Sequence, residues 1–148
     1  MSRFAPKKYR PHRTTVKNLK FTRAYRCDGL NCGVIYKSKA PAQCACGSIS
    51  FEHFHSYGEA CRYATLLLLQ SRGKISNLRK QVRFPLYTVG PEGLQTKVCD
   101  YIADFEYDDD KGKRVVEEFK GGMTDVASLK MKWFKAQYGF EPLYTKGN

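Results

Sequence analysis

Residues 100–122 hold two alternating runs around one polar turn. Tyr101, Ala103, Phe105 and Tyr107 alternate with Ile102, Asp104 and Glu106, and residues 114–120 repeat the pattern. Alternation of this kind marks half-buried strands, and residues 108–113, with Gly112, supply the turn. A hairpin constrains a chain strongly, because its register decides which side chains share a face. Glu118 and Lys120 are two apart and share one face. Asp104 joins them if it pairs opposite Val116 or Glu118, and a one-residue slip sends it to the other face.

Two carboxylates and an ammonium on one side of a rigid hairpin suit Mg²⁺ or Mn²⁺, which take oxygen ligands and keep several waters. A Lys two residues after a ligand can orient an attacking water or stabilise a developing phosphorane. Ala103-Asp104 followed by Glu118-Phe119-Lys120 resembles the PD-(D/E)XK nuclease signature, without its Pro. The motif is short, and its structural alternative is an exposed hairpin with an i, i+2 ion pair.

The charge of the chain is large and unevenly placed. Its net charge is +12 over 148 residues, which favours a polyanionic partner. Residues 1–26 hold Arg3, Lys7, Lys8, Arg10, Arg13, Lys17, Lys20, Arg23 and Arg26 and no acid, whereas residues 100–118 hold eight of the fourteen acids. A basic arm grips phosphate without reading sequence. Lys7, Lys8, Arg10, Arg13, Lys17, Lys20, Arg23 and Arg26 are therefore the candidate nucleic-acid contacts. Tyr9, Phe21 and Tyr25 interleave these charges and either stack on bases or anchor the arm. An acidic cluster repels phosphate unless a cation sits in it. The start of the chain has no apolar signal core, and no run is long enough to span a membrane. The expected compartment is the cytoplasm, with no membrane partner.

Cys27 and Cys32 are spaced C-x₄-C, and Cys44 and Cys46 C-x-C, with eleven residues between the pairs. Two close pairs can close a tetrahedral, structural Zn²⁺ site. Gly29, Gly33 and Gly47 suit the turns. A short strand is expected over residues 34–37, with a turn at Ala40-Pro41. Disulfides would need an oxidising compartment, and free thiols would rarely cluster this way. Cys61 and Cys99 stand apart and read as small buried hydrophobes; His12, His53 and His55 are not assigned as ligands, and His53 and His55, which flank Phe54, suit alternation on a strand.

Residues 56–73 read as a helix, with Ser56 as N-cap, Glu59 at capping-box spacing and Gly73 as the stop. Residues 66–69 are apolar all round, which predicts a well-buried helix. Val82, Phe84 and Leu86 share a strand face, and Pro85 suggests an edge. Thr124 caps a second helix whose stripe is read as Val126, Leu129, Trp133, Phe134 and Gln137. Gly139 ends it, and residues 140–144 read as a last strand. The order after the cysteines is helix, three strands, helix, strand, an α/β arrangement of a mixed sheet with helices on its faces.

With these elements placed, the resemblance widens. Residues 54–143 resemble a phage and prophage family within the PD-(D/E)XK superfamily, long known only as a domain of unknown function. The matching words are Phe54-His55-Ser56-Tyr57-Gly58-Glu59-Ala60, Gly73-Lys74-Ile75-Ser76-Asn77-Leu78 with Gln81, Tyr101-Ile102-Ala103-Asp104-Phe105, Val115-Val116-Glu117-Glu118-Phe119-Lys120-Gly121, and Thr124 with Lys130. The resemblance implies a restriction-endonuclease-like core over residues 51–148, preceded by a basic arm (1–26) and an inserted zinc-ribbon-like element (27–50). It implies catalytic Glu59, Asp104, Glu118 and Lys120, with Gln81 lining the site and Mg²⁺ held by Asp104, Glu118 and Glu59. The x-Lys spacing favours Glu118 over its neighbour Glu117, which is expected on the opposite face. If phage-encoded, the chain would act in the host cytoplasm.

The expected activity is metal-dependent DNA endonuclease cleavage in phage recombination or processing, with a branched-DNA or Holliday-junction version favoured. Two coordinated cuts would imply a homodimer. The alternatives are a sequence-specific or nicking endonuclease, a non-catalytic zinc-ribbon nucleic-acid binder, and a transposase-type or transcription-associated module.

Overall fold

The computed structural model describes residues 23–146. Lys7, Lys8, Arg10, Arg13, Lys17 and Lys20, expected to contact nucleic acid, lie outside the described residues. The described chain is a mixed α/β structure with two sheets. Strands β1 (Ala24–Cys27), β2 (Ile35–Lys37) and β3 (Phe51–Phe54) form a small antiparallel sheet in the order β2-β1-β3. Then come α1 (Tyr57–Ser71), β4 (Ser76–Val89), β5 (Gln95–Asp108), β6 (Arg114–Lys120), α2 (Asp125–Tyr138) and β7 (Leu143–Lys146). The larger sheet runs β4-β5-β6-β7, antiparallel except for the parallel β6–β7 pair. Its element order is the one the sequence predicts, and the Pro85-bearing strand β4 is an edge.

The helix ends follow from local chemistry. Ser56 Oγ accepts the Glu59 N–H at 3.1 Å, and Gly73 takes φ +66° so that Gly73 and Lys74 N–H groups close on Gln70 and Leu69. That is a Schellman stop. Thr124 Oγ1 accepts the Ala127 N–H, and Gly139 ends α2 in the left-handed conformation.

Three apolar clusters hold the elements together. Phe84, Leu86, Tyr101, Ala103, Val116 and Phe134 form one beneath α2. Leu66, Ile75, Phe105 and Tyr107 form a second beneath α1. Ala24, Phe54 and Ala60 join the small sheet to α1. That sheet therefore runs from Ala24 to Phe54, past both ends of the cysteine span 27–50, and its third strand lies in the segment that sequence reading gave to the core.

Two expected faces differ. α1 is covered on one side only: Leu66 is buried and Leu68 half exposed. On α2, Val126 and Leu129 are exposed, and Ala127, Met131, Phe134 and Tyr138 make the packed stripe. The larger rings set the helix rotation, since Phe134 meets Phe84, Tyr101, Tyr138 and Phe140. The last strand lies at 143–146 rather than 140–144, because Phe140 is drawn into this cluster.

Candidate active site and cysteine cluster

The β5–β6 register pairs Phe105 with Glu117, and one step further sets Asp104 across from Glu118. This is one of the two registers that put both carboxylates together. The ladder ends there. Instead of a backbone bond, Asp104 Oδ2 accepts the Phe119 N–H at 2.8 Å.

Alternation also fails at this point. Tyr101, Ala103, Phe105 and Tyr107 should share a face. Tyr101 and Ala103 pack with Phe134 of α2, whereas Phe105 and Tyr107 pack with Leu66 of α1. The exchange falls at Asp104, beside Gln81 of β4, which takes φ +53°. This left-handed conformation is uncommon outside glycine. It turns the Gln81 amide inward, where Nε2 donates to Glu59 Oε1 at 3.1 Å and Asp104 Oδ1 at 3.2 Å.

Glu59 reaches the same place from the first turn of α1. Its other oxygen accepts the His55 N–H at 3.2 Å, a cap contact one residue before the expected capping box. Gly58 makes room: a Cβ there would lie 2.7 Å from the Phe119 ring. Glu118 is buried, accepts the Tyr101 hydroxyl at 3.0 Å and pairs with Lys120 Nζ at 2.6 Å. Glu59, Gln81, Asp104, Glu118 and Lys120 thus converge from α1, β4, β5 and β6.

The electrostatics record the crowding. Burial, then the charge of Glu118, pushes the Asp104 carboxyl from 3.8 up to about 7, against the Phe119 N–H; Glu59 adds to the rise. Burial also raises Glu59. Burial and the Glu118 charge raise the Tyr101 phenol.

Glu117 has a different part. It is fully buried and forms a two-pronged pair with Arg62, at 2.7 and 2.9 Å, while the Tyr107 hydroxyl donates to it at 2.9 Å. It lies away from the Glu118 side, as expected, but it anchors α1 to the sheet and is no idle surface acid. Sequence reading missed Arg62 and Tyr101 as partners of the two glutamates.

The four thiols lie at one end of the small sheet. All four sulfurs fall within 4.8 Å of one another, with Cys27–Cys46 at 3.5 Å and Cys32–Cys44 at 3.6 Å. Tetrahedral Zn–S bonds of about 2.3 Å would set sulfurs about 3.8 Å apart, so the set fits zinc. The Cys46 backbone N–H, then the Tyr36 hydroxyl, lowers the Cys44 thiol to about 6. Gly29 is needed here, since a Cβ would lie 2.9 Å from Cys46 Sγ. Among the described residues this is the one group of three or more Cys, His, Asp or Glu donors so close together.

Of the two candidate phosphate contacts among the described residues, Arg23 is exposed, but Arg26 is half-buried and paired with Glu52 at 3.3 Å. Arg26 is thereby tied to the fold by an ion pair to β3. No helix among the described residues is long and apolar enough to cross a membrane.

The sequence model of a family described as "protein of unknown function (DUF1064)" matches residues 45–143. The chain belongs to this family. The DUF1064 segment contains Glu59, Gln81, Asp104, Glu118 and Lys120, but of the four clustered thiols only Cys46. No curated protein and no solved structure matches the chain.

Proposed function

We propose that the chain is a metal-dependent DNA endonuclease with a PD-(D/E)XK core and a structural zinc ribbon. The observation that carries this reading is the convergence of Glu59, Asp104, Glu118 and Lys120 from three elements, with Asp104 pushed up to about 7. The oxygen donors fit Mg²⁺ or Mn²⁺ in chemistry. Asp104 and Glu118 would hold the ion, with Glu59 contributing. The three carboxylates are not as closely grouped as the thiols, which suits an ion that keeps several waters. When bound, the ion supplies a lowered water pKa and neutralises charge on the phosphoryl oxygens.

The protein's own groups do the rest. Tyr101 holds one Glu118 oxygen, leaving the other to Lys120. Lys120 places a positive charge where the phosphorane gains negative charge, or orients the attacking water. Gln81 ties Glu59 to Asp104, and the Phe119 N–H fixes the second Asp104 oxygen. The basic residues 1–23 supply the grip on phosphate.

The branched-DNA version, with a homodimer making two cuts, is part of this proposal and rests on resemblance. The test is one gel. Zinc-loaded protein is given linear, nicked, flap and four-way DNA with Mg²⁺, with Mn²⁺, or with no added divalent ion. Divalent-dependent cutting, strongest on four-way DNA, is expected. Binding without cutting under every ion would favour the non-catalytic zinc-ribbon binder.

A further inference from the structure

The small sheet has two unlike faces. Ala24 and Phe54 are buried against α1. On the other face, Tyr36, Tyr25 and His53 lie directly across from one another on β2, β1 and β3. Tyr25 and His53 have ring centroids 5.3 Å apart, and His53 and His55 5.7 Å. His53 and His55 are exposed and Tyr25 is half-exposed. The row ends at the candidate active site, since the His55 N–H donates to Glu59.

The same end of the sheet is basic. Arg23 and Lys39 are exposed there. Ser38 N–H donates to Arg23 O, whereas Lys37, across from Ala24, turns to the α1 face, its ammonium 4.3 Å from the centre of the Tyr57 ring. The one nearby acid on these strands, Glu52, is engaged by Arg26 and Lys80. Directly before Arg23 in sequence come seven further Lys and Arg in residues 1–22. Rings that expose π-faces beside exposed cations suit unpaired bases and their phosphates, whereas a closed duplex offers no base faces.

We infer that the Tyr25–His53–His55 row, with Arg23 and Lys39, is a platform for a nucleic-acid strand with unpaired bases, leading it to Glu59. The inference deepens the nuclease reading by naming its substrate class, and it rests on nucleic acid being the partner. It assigns the zinc site a purpose: holding β1, β2 and β3 together keeps the row in place.

The test is fluorescence anisotropy of zinc-loaded protein with labelled oligo-dT and with a blunt duplex, without Mg²⁺. The double variant Tyr25→Leu/His53→Ala keeps apolar bulk and removes two ring faces. Its single-strand affinity is expected to fall about ten-fold or more, with duplex affinity nearly unchanged. Arg23→Gln should weaken both alike and reduce the slope of log affinity against log salt by about 1. If the double variant loses zinc, His53→Ala with Tyr25→Phe replaces it, with a smaller expected loss. Single-strand binding equal to the parent's in a zinc-retaining variant overturns the inference, as does a parent that binds duplex and no single strands. A parent that binds single strands through this row but cuts no DNA leaves the platform standing and removes the nuclease reading.

Discussion

Cys27, Cys32, Cys44 and Cys46 are neighbours in sequence and in space, whereas Glu59, Asp104 and Glu118 are neighbours only in space. Two turns and three short strands bring the thiols within 4.8 Å. Nothing beyond that segment is needed to aim them. The carboxylates need a capped helix, a kinked edge strand and the end of a hairpin ladder. The thiols sit as close as one ion with four protein ligands requires. The carboxylates sit further apart, buried and mutually repelling, with one held near neutrality. A saturated zinc site has no place for water, so it stabilises. A crowded carboxylate site with an ammonium beside it carries a repulsion that, on the reading proposed above, a bound cation would relieve.

The largest effects should separate the two sites. Asp104→Asn is expected to abolish Mg²⁺-dependent cutting while zinc content and DNA binding persist. Lys120→Ala should slow cutting about 10²-fold, measured under single turnover. Glu59→Gln should be milder. Cutting by Asp104→Asn at the parent rate would remove the contrast.

Glu117→Gln comes next and should act on stability. It breaks one side of a buried pair with Arg62, at a cost on the order of 3 kcal/mol or more. Urea unfolding checks this. Any loss of cutting should track loss of fold and return on cooling. A stable, inactive Glu117→Gln would mean that Glu117 rather than Glu118 serves the site.

Cys44→Ser tests the other side of the comparison. Elemental analysis should give one zinc per parent chain and far less in the variant. The small sheet should loosen while the cluster around Phe84 and Phe134 survives. Because Phe54 and Ala60 pack together, the start of α1 should loosen too, lowering cutting through Glu59 without abolishing it. Zinc-free parent protein would contradict the assignment.

The smallest effect is a pH dependence. The Asp104 carboxyl is raised from 3.8 to about 7, so the folded chain binds more protons than the unfolded one between those values. This contribution is fully present below about pH 4 and lost as pH rises through about 7. Without Mg²⁺, the parent's melting temperature should fall relative to that of Asp104→Asn over this window. Adding Mg²⁺ near pH 8 should restore the parent and not the variant. Parallel melting profiles would show that the carboxylates do not repel as argued.

What could be read from sequence follows the same division. Ser56, Gly73, Thr124 and Gly139 announce the helix ends because capping is local chemistry. The cysteine spacing announces the thiol cluster because its turns are local too. The alternation of His53 and His55 about Phe54 suits a strand, but its pairing with Ala24–Cys27 is not legible, since a long loop separates the two. The α2 stripe departs from its sequence periodicity because Phe134 chooses its neighbours in three dimensions. For the carboxylates, the hairpin left two registers open, and strict alternation hid the exchange of faces at Asp104. The positive φ of Gln81 is set by its surroundings, and no residue-type rule announces it. Arg62 as partner of Glu117 was equally invisible, because the two meet only when α1 packs on β6.

The most direct test of the central claim is cleavage of labelled four-way and linear DNA by zinc-loaded parent and Glu118→Gln proteins, with and without Mg²⁺. The account predicts Mg²⁺-dependent cutting by the parent and none by Glu118→Gln, whose zinc content and DNA affinity match the parent's. A parent inert under Mg²⁺ and Mn²⁺, or a Glu118→Gln protein that cuts as fast as the parent, would contradict it.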